Sequence, residues 1–410
     1  MKSFESYLIE QKNTHMEHLE DLVLNNGLAG AREIFAFLTS VGSMLSGDSK
    51  KAVTATVKWD GAPSIFAGID PADGKFFVAK KGLFNATPKM YKTMRDIDAD
   101  LTGELNEKFK VALEEFSKLG IKKGVYQGDL MFTTGDVKVA TIEGQKYYTF
   151  QPNTIVYAVP VNSPLASKIK KARVGVIWHT TYEGDTIADM SASFGKVIVG
   201  KLKHVPTVWM DDATYKDVSG KATFTAEETK EFRGIVSRAG TLLRTIPTAA
   251  LNAISSHPDL LIMVKTYNNA KVRAGEKITN TTAHAAGLIH YLADKFKKEA
   301  ESRKTPAGKA AIHAKMQTVL NPIVSVAPAH LAAIFNFQNE VVEAKAMLIK
   351  KMNQAASVGT FLRTAHGYKV TTPEGYVAID HLTNGAVKLV DRLEFSAANF
   401  SPDVIKGWTK

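Results

Sequence analysis

The hydropathy period of this chain changes twice, and that double change limits the fold more than any other feature. From about residue 51 apolar residues recur at every second position. Val53-Thr54-Ala55-Thr56-Val57 alternates, Ser64 to Ile69 makes another strand, and Asp73-Gly74 is a hairpin turn into Lys75 to Lys80. Further strands are expected near 124–132, 147–160 and 173–181, with a helix over 104–118. After about 225 the spacing becomes helical, over 226–244, 280–303 and a long stretch near 329–354, broken at Pro322 and Pro328. At Tyr368 the strand texture returns and lasts to about 396. Strands that resume after a helical block predict an α+β core with a helical insertion.

Ahead of the first strand, residues 1–47 read as helix. Asn13 or Thr14 would cap a segment bearing Leu19, Leu22, Val23 and Leu24, and a second would carry Ile34, Phe35, Phe37, Leu38 and Val41 before Gly47 ends it. The expected division is a helical segment (1–49), a core (50–210 plus 368–397) and a helical module (211–367). At 410 residues the chain is long enough for two or three such bodies. No internal repeat interrupts it.

Charge narrows the class of partner. Fifty-two Lys+Arg against 41 Asp+Glu give +11, and residues 225–365 alone hold 19 basic and 10 acidic side chains. That surplus favours a polyanion, held by its phosphates without sequence reading. Zero cysteines exclude thiol catalysis, disulfides, iron–sulfur clusters and cysteine-based zinc sites. Met1 to Glu5 lacks a signal-peptide pattern, and no run approaches ~18 apolar residues. The expectation is a cytoplasmic protein with neither membrane span nor zinc.

The sharpest local signal is Lys58-Trp59-Asp60-Gly61, where a strand runs out into a turn. Alone it is weak, since about one chain in ten of this length would contain Lys-x-Asp-Gly by accident. Its ordered company is what counts. Lys80-Lys81-Gly82 follows, then Tyr126-Gln127-Gly128-Asp129-Leu130, the aromatic strand Ile155-Val156-Tyr157-Ala158, Glu374-Gly375-Tyr376-Val377, and Val387-Lys388-Leu389.

This series resembles the covalent nucleotidyltransferase superfamily of polynucleotide ligases and messenger-RNA capping enzymes, over roughly residues 50–205 and 368–395. The chain is also similar to ligase-like proteins of large tailed phages, whose setting would be the host cytoplasm. The resemblance implies that Lys58 attacks the α-phosphate of ATP or GTP and becomes a lysyl-nucleotide. It further implies that Asp60 steadies the turn, that Trp59, Gly61 and Lys81 line the nucleotide, and that Tyr157 stacks on the base. Asp129 and Glu374 would contact ribose hydroxyls or Mg²⁺ (or Mn²⁺), hard cations that prefer oxygen. A lysine amine has a reference pKa near ~10.4 and becomes nucleophilic when neighbouring cations and burial lower it; Lys81 and Lys388 are placed to supply such charge. Phosphoryl transfer otherwise needs positioning and charge neutralisation.

Three positions depart from the family pattern. Pro63 stands where many members carry arginine, Asp129 replaces the usual glutamate, and Val390 replaces the second lysine of Lys-x-Lys. Arg392, two residues on, would point to the same face and compensate. A second register, Glu183-Gly184 with Lys201-Leu202-Lys203, remains open; Glu374-Gly375 is preferred because an apolar strand follows it. With Lys388 as the last motif only 22 residues follow, too few for the OB-fold of ~100 residues that DNA ligases and capping enzymes append. RNA ligase is therefore favoured over DNA ligase, with a capping-type guanylyltransferase and a decayed, nucleic-acid-binding ligase fold as alternatives.

Other leads weigh less. His15 and His18 would share a helix face as half a metal site, or as a solvated surface. His179 reads as a core histidine, with a phosphate contact as the lesser reading. No P-loop motif is present.

Overall fold

Alternation turns into three sheets in the computed structural model, which describes residues 17–47, 53–194, 197–213, 223–354, 358–380 and 386–407. The first sheet orders β1 (Glu17–His18), β15 (Ala386–Leu389), β14 (Gly375–Asp380) and β2 (Val53–Lys58). The second orders β10 (Ser191–Phe194), β9 (Val174–Glu183), β5 (Val125–Thr133), β3 (Ser64–Ile69) and β4 (Phe76–Ala79), and β11 (Val208–Asp212) joins β9 in parallel. The third orders β13 (Gly367–Val370), β12 (Gly359–Thr364), β8 (Ile155–Pro160), β7 (Gln145–Phe150) and β6 (Lys138–Ile142). Most pairings are antiparallel, so the class is α+β.

Helices cover these sheets. In the order of the chain they are α1 (Leu22–Leu45), α2 (Met94–Asp100), α3 (Gly103–Phe116) and α4 (Pro164–Lys171). Then come α5 (Ala226–Thr245), α6 (Thr248–Ser255), α7 (Pro258–Arg273), α8 (Thr281–Glu301), α9 (Pro306–Val324), α10 (Pro328–Asn353) and α11 (Arg392–Phe400). Local chemistry sets their starts. Thr225 and Glu228 close a capping box on α5, and Pro328 occupies the first turn of α10. Pro322 does not break the helix at its own position as expected: it sits inside the last turn of α9, and the helix ends two residues later at Val324.

One apolar cluster joins α1 and α5–α10 to the first sheet. Ile34, Leu38 and Val41 of α1 and Leu331, Phe335 and Leu348 of α10 share it with Tyr376, Ala378, Val387 and Leu389. Three expected boundaries change as a result. The N-terminal helix belongs to the helical layer instead of standing apart. The return to strands comes at Gly359, because β12 pairs with β8, and not at Tyr368. Residues 17–18 are extended and pair in parallel with Val387–Lys388, so His18 is not on a helix face. Asn13, Thr14 and His15 lie outside the described residues. The expected strand 147–160 divides into β7 and β8 at residues 151–154.

The segment Leu19–Leu45 is, by length and composition, apolar enough to cross a membrane, an 18-residue stretch within it reaching a mean hydropathy of 1.2, which the count of strictly apolar residues missed. In this fold its apolar positions pack into the helical layer, and Gly27, with φ at 55°, bends the helix five residues after its start.

Candidate active site

Lys58 closes β2 at the point where the three sheets meet. Its antiparallel partner is Gly375, the first residue of β14, so the preceding Glu374 is delivered to the same end. Glycine is required there. The φ of Gly375 is +146°, and a Cβ would come within 2.5 Å of the Leu389 carbonyl oxygen. That close approach lets Glu374 Oε1 form an ion pair with Lys58 Nζ. Lys388 on β15, paired with Val377, brings its amine to the same region, where burial and the Lys58 ammonium lower it.

The turn after Lys58 is equally constrained. A Cβ on Gly61 would lie 2.5 Å from Asp129 Cβ, so only glycine lets this turn run against β5. Asp60 is buried, and its carboxylate accepts three hydrogen bonds: Asn153 Nδ2 at 2.8 Å, the Thr154 amide at 2.8 Å and the Ile155 amide at 2.9 Å. The Asp60 amide donates to the Tyr157 hydroxyl at 2.7 Å. Asp60 thus ties the Lys58 turn to the third sheet. Trp59 covers the joint, its ring 5.0 Å from that of Tyr157 and edge-on to Trp209 at 6.4 Å.

Burial and charge pull these groups toward one another's protonation range. Burial pushes the Glu374 carboxyl up to about 7, with Lys58 pulling it down and Asp60 and Asp129 pushing it further up. Asp129 is likewise raised to about 7 by burial, against Lys58 and with Asp60. Burial, then Lys58, lowers the Lys388 amine, partly offset by Glu374. His179 on β9 stays neutral at physiological pH, lowered to about 4 by burial and the Lys58 ammonium. Its Nε2 lies 3.7 Å from Asp129 Oδ2 and its Nδ1 2.7 Å from Thr180 Oγ1. One amine lowered beside two carboxyls raised, in one cleft, is an arrangement common at sites that move protons. The cleft is a cavity of about 80 Å³ between the first two sheets, bounded by Lys58, Trp59, Asp129, His179, Phe194 and Val377.

The expected residues do not all converge. Lys58, Trp59, Asp60, Gly61, Asp129, Glu374 and Lys388 do, and the exposed Lys81, opening a turn after β4, is near enough to act on Asp129 and Lys388. Tyr157 is buried beneath Trp59 and stacked on Phe150 at 5.7 Å, so its ring is core and its hydroxyl serves Asp60. Arg392 does not extend the strand face, because β15 ends at Leu389 and Asp391 caps α11. Its Nη1 meets Glu20 and Asp21, and Asn269 accepts from its Nη2. In the other register, Glu183 lies four residues beyond His179, about 13 Å along the strand, and the Lys203 stem packs beside Gly120. Glu374 is the glutamate at Lys58. Sequence reasoning missed the loop 151–154 as the seat of Asp60; the Pro152-Asn153 turn between two strand runs was its only signal.

Fold and site together define a mixed α+β protein, built on antiparallel sheets, with a lysine–carboxylate centre at their junction. The chain belongs to a family of unknown function (DUF6267), whose model matches residues 13–403. No curated protein and no solved structure matches it.

Proposed function

We propose that the protein is an ATP-dependent polynucleotide ligase, with RNA favoured over DNA, acting through a lysyl-AMP intermediate on Lys58. The observation that supports this most is the convergence on Lys58 of Asp129, Glu374 and Lys388, which come from strands up to 330 residues apart in the order the resemblance requires. In the first step Lys58 Nζ, its proton passed by way of Glu374 to water, forms a bond to the α-phosphorus of ATP. The bond from that phosphorus to the bridging oxygen breaks, and pyrophosphate leaves with the electron pair. AMP then passes to a 5′-phosphate, and a 3′-hydroxyl displaces it to form the phosphodiester. Lys388 and Lys81 are the cations that offset the phosphate charge.

Two carboxylates facing an ammonium suit a divalent cation of the Mg²⁺ type, which commonly takes one or two protein carboxylates together with substrate phosphates. Asp129 and Glu374 would hold it, and it would supply charge neutralisation of the phosphates. Asp60 would not, since its oxygens are committed to Asn153, Thr154 and Ile155. A cavity of about 80 Å³ is smaller than the several hundred Å³ typical of ligand pockets. Nucleotide entry on this reading parts Phe194 and Ala213 from Val377 and Ile379. The basic surplus of the helical layer would hold the polynucleotide backbone.

The test is covalent labelling. Purified protein incubated with α-labelled ATP and Mg²⁺ is expected to carry label through SDS denaturation, and Lys58→Ala to carry none. Glu374→Ala should lose far more label than Glu183→Ala. Label from GTP alone would redirect the assignment to a capping-type guanylyltransferase, and absence of label from both nucleotides would overturn it.

A further inference from the structure

The loop that seats Asp60 is gripped on its outer side by the C-terminal segment. Thr154, fully buried, donates its hydroxyl to Asn399 Oδ1 at 2.5 Å. Gln151 Nε2 donates to the Ile405 carbonyl at 2.6 Å, and the Gly407 amide donates to the Asn153 carbonyl at 2.8 Å. The same residues, Asn153 and Thr154, hold the Asp60 carboxylate from the inner side. The loop is therefore clamped between the Lys58 turn and α11 with its tail.

The same helix also lies over the other arm of the centre. Phe395 and Ala398 of α11 face Thr154, Pro373 and Glu374 across a narrow gap. At its opposite end Arg392 is fixed by Glu20 and Asp21, and Arg273 of α7 stands over the Phe400 ring at 5.7 Å. Yet α11 contributes no fully buried residue. An element held at its ends over shallow packing moves as a unit more readily than a core helix. Its placement sets where the Asp60 loop sits.

We infer that Asn399 is a positioning residue for the Lys58 centre: by accepting the Thr154 hydroxyl it fixes the loop whose donors hold Asp60, and through Asp60 the turn that carries Lys58. This rests on Lys58 being the nucleophile. Misplacement of a reacting group by about 1 Å can cost about 10²-fold in rate. Loss of one of several clamps is a smaller fault.

The experiment uses the full-length protein. Asn399→Ala is expected to slow lysyl-adenylate formation about tenfold at saturating ATP, with the KM for ATP nearly unchanged. Asn399→Asp, which keeps an acceptor oxygen, should restore the rate. Thr154→Val should match Asn399→Ala, and the double variant should be no slower than either, because both remove one bond. A second readout is independent of activity: hydrogen exchange at the Asp60 and Ala62 amides should accelerate in Asn399→Ala and return to the parent rate in Asn399→Asp. Unchanged exchange in Asn399→Ala, or an equal defect in Asn399→Asp, would overturn the inference. An unlabelled parent protein whose exchange follows the expected pattern would count against the ligase reading alone.

Discussion

At the scale of single residues, the centre is a small electrostatic conflict that the fold maintains. Asp129 and Glu374 are both raised to about 7, first by burial, which favours the neutral carboxyl. A group with a raised folded-state pKa stabilises the fold below its unfolded value, near ~4, and loses that contribution as pH rises through about 7. Asp129→Asn removes one such group without changing the shape. Its melting temperature should exceed that of the parent by a degree or two above pH 8, equal to about 1 kcal/mol or less, and the gain should shrink as pH falls from 7 and vanish below about 4. A gain that is the same at all pH values would show that ionisation of Asp129 is not the cause. The letters of this centre were legible in the sequence, because Lys58, Asp60, Asp129, Glu374 and Lys388 stand in a recognisable order. Their partners were not. Asn153 and Thr154 reach Asp60 across more than 90 positions, and Arg392 turns to Glu20 and Asp21 across more than 370. No local pattern encodes such distances.

At the scale of elements, strong periodicity was reliable and weak periodicity was not. The strands β2, β3, β5 and β9 and the helices α3, α5, α8 and α10 appear where alternation or helical spacing placed them. The two-residue β1 shows no period and was absorbed into a helix, while β12 was hidden because Gly359-Thr360-Phe361-Leu362 is short and follows a long helix. What positions the site is a feature that period does not report, the close approach of β14 to β15 at Gly375. Replacing Gly375 by alanine puts a Cβ 2.5 Å from the Leu389 carbonyl oxygen at a φ of +146°. The strain is of the order of 1–3 kcal/mol, relieved only by moving β14 away from β15. Gly375→Ala should therefore unfold at a lower urea concentration and also lose Lys58 labelling. Serine or alanine tolerated there with parent-level labelling would mean that Glu374 does not need this backbone to reach Lys58.

At the scale of the whole molecule, the helical layer is a structural part of the fold and not an appendage to it. Its apolar cluster includes Tyr376, Ala378, Val387 and Leu389, the inner face of the sheet that carries Lys58 and Glu374. The sequence separated these parts by texture, and texture cannot show that one hydrophobic face serves two bodies. Beside that cluster lies a buried ionic knot: Lys345 Nζ meets Glu20 Oε2 at 2.7 Å, and Arg392 Nη1 reaches Glu20 at 3.4 Å. Burial raises the Glu20 carboxyl, but Lys345, His18 and Arg392 reverse this and leave it at about 2. Its contribution to stability is thus present above about 4.5 and lost as pH falls toward 2. The knot joins the turn before α1, the middle of α10 and the root of α11, so breaking it tests whether they unfold together. Lys345→Met leaves a buried carboxylate short of its main partner, and removal of one member of a buried pair typically costs about 3–5 kcal/mol. Urea unfolding followed by both tryptophan fluorescence, to which Trp59, Trp178 and Trp209 contribute from the sheets and their junction, and far-ultraviolet circular dichroism, which reports chiefly the helices, should shift by the same amount in one transition. Glu20→Gln combined with Lys345→Met should recover part of the loss, since no charge then remains unpaired at that position. Two separate transitions, or a helical signal that shifts while the sheet signal does not, would show that the helical layer folds independently of the sheet that carries Lys58.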